Sequence, residues 1–212
     1  MAVRSSEAIP RLPRLSLAAV LLVLGGFGLW FIVHNAFKYT AYNAVTYDDF
    51  WPRRFGLIPH ILGGMTAVVA GLVQLWLGLT GRTGVWHRTL GRIYVAAVAV
   101  ASVGAFYLAA TIDSKYFAYS AGLFGLGCAW VLTTSMALLA IRRHAIEQHR
   151  EWMIRSYIVT FAFVSFRLFE KLMLDWKVAP DTEVDSFMAF ACWCVPLLLA
   201  EPLIQMRKIG RR

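Results

Sequence analysis

Charge is what this chain has least of. Asp, Glu, Lys and Arg make up 16% of its 212 residues, against roughly 25% in soluble domains, and stretches such as 15–33 and 117–141 carry none. With 59% hydrophobic residues, that shortage excludes an ordinary soluble domain and places the chain in lipid. Cysteine is sparse too. Cys128, Cys192 and Cys194 all fall in apolar runs, and the Cys-x-Cys pair points to nearly opposite sides of a helix. That pattern excludes a disulfide framework and a zinc motif. No glycine-rich phosphate loop, nucleophile motif or metalloprotease helix motif is present, so independent hydrolytic chemistry is not expected.

The apolar residues gather into six runs, each long enough to cross a hydrocarbon core about 30 Å thick at about 1.5 Å per residue. The expectation is an all-α, polytopic transmembrane bundle of six helices, at about 15–37, 56–80, 93–112, 117–141, 152–174 and 187–206. A cytoplasmic segment over 1–14 precedes it and a basic cytoplasmic tail over 207–212 follows. The first run is longer than a signal h-region and is read as a retained helix. With the N-terminus inside, fourteen basic residues fall on the inner side and six outside, Arg167 alone lying within a span. The positive-inside bias therefore puts both termini in the cytoplasm. It also accounts for the net charge of +9 without nucleic acid.

One stretch combines a membrane-length apolar run with ionisable residues. From His149 to Glu170, helical spacing aligns His149, Met153, Ser156, Thr160, Phe163, Arg167 and Glu170 on one face. Lipid solvates arginine poorly, so this seam must face other helices or a water-filled cavity. On the second run His60, Gly64, Ala67, Gly71, Gln74 and Gly78 share a face, where the glycines let a neighbouring backbone approach. His60 falls at the depth of Arg167 and Glu170, and these three form a candidate polar cavity. Gln74 lies about 21 Å deeper along its helix, out of reach of a small ligand held there. Glu201, near the inner end of the sixth run, has Arg92 or Arg155 as its prospective partner.

His60 with Gly63-Gly64 and Gln74, then His87-Arg88-x-x-Gly91-Arg92-x-Tyr94, then His149-x-x-Trp152-Met153-x-Arg155 and Arg167, resembles the bacterial predicted membrane proteins grouped as domain of unknown function 2306. The resemblance covers roughly residues 56 to 175. It implies a multi-pass protein of the bacterial inner membrane and supplies no activity. A weaker, architectural similarity is to six-helix diheme membrane cytochromes, in which histidines of the third and fifth helices share one haem b. His87 and His149 open those two helices on one membrane side. A second pair is missing, because Tyr119 stands where a partner for His60 would be wanted.

Three functions follow as expectations. The first is a haem b electron-transfer protein, with His87 and His149 as iron ligands, Arg88, Arg92 and Arg155 around the cofactor, and a membrane quinone or redox protein as partner. The second is a non-enzymatic transporter or sensor, holding a small solute, proton or lipid headgroup at His60, Arg167 and Glu170. The third is an assembly or accessory subunit. Against these stand plainer roles: helix-capping interfacial histidines, arginines placed by charge bias, and an Arg167–Glu170 pair that merely neutralises itself.

Overall fold

The computed structural model of the chain describes residues 14–209. Among them are seven α-helices and no strand: α1 (Arg14–Phe31), α2 (Ala44–Tyr47), α3 (Arg54–Leu79), α4 (Val85–Ala110), α5 (Phe117–Arg142), α6 (Ile146–Asp175) and α7 (Asp181–Ile209). The all-helical class is the class expected. The ends of the expected terminal segments, 1–13 and 210–212, lie outside the described residues.

Among the described residues, five segments are long and apolar enough to cross a membrane: Ala18–Thr40, Arg54–Leu79, Val85–Ala110, Ser114–Arg142 and Asp181–Met206. The sixth helix of the expectation is α6. At 30 residues it is the longest, yet it carries Arg155, Arg167 and Glu170 and is not one of the five. Its position explains why it tolerates them. The helices α3, α4, α5 and α6 form a closed ring in which each packs on the next and α6 returns to α3, while α1 covers α3 and α6 and α7 covers α5 and α6. α6 thus has protein on four sides. The outward surface is apolar: Leu22, Val103, Leu198 and Leu199 are each more than two-thirds exposed, an arrangement suited to lipid rather than water. The chain is a multi-pass membrane protein.

Four helices begin before the apolar runs do. α3 starts at Arg54 instead of 56, with Pro59 in its second turn. α4 starts at Val85 instead of 93, α6 at Ile146 instead of 152 and α7 at Asp181 instead of 187. An apolar run marks only the hydrocarbon section of a helix. The backbone hydrogen bonds continue through the headgroup layer, where polar turns are tolerated, and this brings His87, Arg88, Arg92 and His149 onto helices.

Between α1 and α3 tyrosines and a tryptophan pack on one another. Asn43 caps α2 by accepting from the Thr46 N–H at 2.9 Å. Tyr47 is buried against Tyr39, Tyr42 and Trp51 and donates to the Tyr39 carbonyl at 2.8 Å. Burial, with Tyr42 and Tyr39 beside it, pushes its phenol above the ordinary value.

The expected glycine seam on α3 divides by direction. Gly71 lies under the rings of Tyr157 and Tyr94, and Gly78 lies near the His87 ring, but Gly64 faces open space. The close approach of α3 to α4 is made at Gly56, Gly63 and Gly104 instead. A methyl on Gly63 would sit 2.7 Å from the Ala97 carbonyl oxygen and 3.0 Å from the Ala101 nitrogen, both backbone atoms. Gly63→Ala is therefore expected to destabilise the bundle by about 1–3 kcal/mol. Its neighbour Gly64→Ala is expected to be neutral, or stabilising by up to about 1 kcal/mol through helix propensity. Thermal unfolding of the two variants in detergent checks the contrast.

Candidate functional site

At the end of the bundle where α3 begins and α6 ends, a cavity of about 1070 Å³ opens among the long helices. Its walls are mainly apolar and aromatic, with Trp30, Phe31, Phe163 and Trp130 among them. His60 from α3 and Arg167 and Glu170 from α6 all line it, which brings the three expected cavity residues together. Tyr119 of α5 and Asp185 of α7 also line it. Arg167 Nη1 donates to both carboxylate oxygens of Glu170, at 2.9 and 3.1 Å, so the expected neutralising pair exists and sits on the cavity wall. The guanidinium carbon lies 5.8 and 5.3 Å from the ring centres of Phe163 and Phe166, close enough for cation–π attraction. Asp185 of α7 and Glu170 of α6 line the same cavity. His60 Nδ1 donates to the Ala101 carbonyl at 3.1 Å; that bond sets the tautomer and leaves Nε2 as the acceptor.

The cavity floor is a knot of hydroxyls on the bundle axis. Tyr94 of α4, with no exposed surface, bonds the Ser156 and Thr160 hydroxyls of α6, each at 2.7 Å. From α5 the Trp130 indole donates to Thr160 at 2.8 Å, and Thr134 bonds Ser156 at 2.8 Å. Ser156 and Thr160 belong to the seam legible in the sequence. Tyr94 stood in the sequence only as a position of the family resemblance, and Trp130 and Thr134 were assigned to no candidate site. Their partners are 22 to 66 positions away, and no local pattern announces such a pairing.

Below the knot lie the inner histidines. His87 on α4 and His149 on α6 are both half-buried, and His149 lies close enough to bear on the charge of His87. His149 Nδ1 donates to the Ala137 carbonyl at 2.9 Å, which leaves its Nε2 free. His87 Nδ1 is buried with no hydrogen-bond partner, and so is Gln74 Oε1. Gln74 Nε2 donates to the His87 carbonyl, which places Gln74 with the inner group and away from the cavity. The arginines diverge. Arg88 and Arg92 are exposed, and Arg155 turns to α7, where it donates to Glu201 at 2.7 to 3.0 Å. Among the described residues no three His, Cys, Asp or Glu side chains gather as metal ligands. Two imidazoles are too few for a closed zinc site. They are the number an iron takes axially when a macrocycle supplies its other ligands.

Arg155 and Glu201 are the core of a wider ion network. Glu151 approaches Arg155 at 3.8 Å and Lys208 at 2.8 Å, so two acids and two bases fasten α7 to α6 at the inner end. Glu201 side chains are 43% exposed, so the loss on breaking the pair falls below the 3–5 kcal/mol of a fully buried one. Arg155→Glu and Glu201→Arg are each expected to lower stability by about 1–2 kcal/mol. The double exchange, measured by thermal unfolding in detergent, is expected to recover most of that.

Residues 57–204 match the family model described as "Predicted membrane protein (DUF2306)". The match starts near the beginning of α3 and reaches into the last turns of α7, so it takes in the ring, α7, the cavity polar groups and both inner histidines. No curated protein and no solved structure matches the chain. With more than half of its length covered, the chain belongs to the DUF2306 family of predicted membrane proteins.

Proposed function

We propose that this protein is a six-crossing protein of the bacterial inner membrane, with both termini in the cytoplasm, that holds a small amphipathic solute in its outer cavity as a transporter or sensor. One observation carries the reading: His60, Arg167 and Glu170, more than a hundred positions apart at the extremes, line one cavity of about 1070 Å³. Ligand sites are typically concave, mostly apolar and supplied with a few convergent polar groups. The aromatic walls suit a hydrocarbon or ring portion. The polar groups at His60, Tyr119 and Arg167 suit a carbonyl, carboxylate or quinone-type head.

The test is ligand-induced stabilisation of the detergent-purified protein against a panel of short-chain quinones, fatty acids and small carboxylates. A ligand present at a hundredfold excess over its Kd adds about 2.7 kcal/mol to stability. Arg167→Gln is expected to express and fold while losing most of that increment. A panel that leaves the wild-type protein unmoved would sink the proposal.

A second reading rests on the inner histidines: the free His149 Nε2 and the unpartnered His87 Nδ1 would suit the two protein ligands of one haem b. When bound, such a group supplies one-electron chemistry, with a quinone or membrane redox protein as partner. Arg155 is engaged by Glu201, so His87 and His149 carry this reading, with Arg88 and Arg92 at the exposed rim. The expected outcome, after expression with ample haem, is a Soret band with sharpened bands on dithionite reduction, lost in His87→Ala and His149→Ala. A folded, colourless preparation removes it.

A further inference from the structure

We propose that the hydroxyl knot on the bundle axis is a proton relay joining the outer cavity to the inner histidine pair. The knot has one self-consistent hydrogen assignment. The Thr160 hydroxyl donates to the Ser156 carbonyl at 2.8 Å and accepts from the Trp130 indole N–H. Its contact with Tyr94 must then be one in which Tyr94 donates. With the Tyr94 hydrogen used, Ser156 donates to Tyr94, and Thr134 donates to Ser156. The result is a single file, Thr134 to Ser156 to Tyr94 to Thr160, with every oxygen-to-oxygen distance between 2.7 and 2.8 Å.

Both ends of the file open towards titratable groups. Thr160 lines the cavity that holds His60, Glu170 and Asp185. At the other end Thr134 lies one turn, about 4.5 Å of helix, from Ala137, whose carbonyl is bonded to His149 Nδ1. The relay requires water between the Thr134 hydroxyl and His149. A proton arriving from the histidine side adds to the Thr134 oxygen as the Thr134 hydrogen passes to Ser156. The Ser156 hydrogen passes to Tyr94 and the Tyr94 hydrogen to Thr160. Thr160, turning from the Ser156 carbonyl, releases its hydrogen to water in the cavity. One proton enters, one leaves, and only O–H bonds form and break. The hydroxyls then rotate back. A structural clamp needs interhelical bonds but no particular order. Here four hydroxyls from three helices are joined head to tail, packed among apolar side chains of the core.

The relay requires the cavity to be wet and does not require it to hold a solute, so proton flux and ligand-induced stabilisation can fail separately. The full chain is reconstituted in liposomes containing a pH-sensitive dye, and a potassium diffusion potential drives protons. Wild-type vesicles are expected to change pH at least tenfold faster than protein-free vesicles. Tyr94→Phe, which keeps the ring and removes the hydroxyl, and Ser156→Ala are each expected to return the rate to near the protein-free value while helical content persists. If Tyr94→Phe fails to fold, Ser156→Ala decides. Wild-type flux equal to that of empty vesicles, or folded variants that conduct like wild type, would overturn the proposal.

Discussion

Tyr94 places a phenol on the axis of a membrane bundle, where no water is available to bond it if its protein partners move away. Its two bonds to α6 and the bonds from α5 to the same α6 hydroxyls tie three helices at one depth. The ring of α3 to α6 is arranged to permit this. α4 and α6 stand diagonally opposite, and the phenol spans the diagonal while Gly71 of α3 leaves room for the rings of Tyr94 and Tyr157. A side chain on Gly71 would fill the space those rings occupy.

The knot divides the molecule into two halves with different electrostatics. On the cavity side, Arg167 is bonded to Glu170 on a wall that also carries Arg53, Asp49 and Asp185, and Phe163 and Phe166 flank the guanidinium. On the opposite side Arg155 and Lys208 are matched against Glu151 and Glu201, and the four are committed to holding α7. The outer charges line a space and the inner ones fill a contact. That difference is why the solute proposal rests on the outer group, although the inner end holds more basic residues.

What could be read from the sequence followed from contrast. A polar side chain every third or fourth position stands out on an apolar helix, so the seam from His149 to Glu170, and the common depth of His60 with Arg167, were legible. Glu201 could be narrowed to two partners by depth alone, and Arg155 proved to be the one. Helix starts were hidden because polar turns in the headgroup layer look like loops. Rotation was hidden as well: Gly63 and Gly64 differ by one position, about 100° of rotation, yet one touches the α4 backbone and the other opens on the cavity. Tyr94, Trp130 and Thr134 gave no signal of their pairing, since their partners lie on other helices and their role appears only when three helices meet.

The knot also bears on whether the cavity belongs to a sensor or a transporter. Tyr94 has no exposed surface, so in this conformation the cavity floor is closed to anything larger than a proton. A solute could continue inward only if the four interhelical side-chain bonds of the knot opened. Such bonds average about 0.6 kcal/mol each in membranes, so their combined loss is about 2.4 kcal/mol and an opened form would be populated at about one molecule in sixty. That is rare enough to keep the closed form dominant and common enough to be drawn on by a ligand that binds the opened form more tightly. A proton needs no such opening. The same four bonds therefore act as a barrier to solute and a path for charge, and a carrier built this way would move the two by different events.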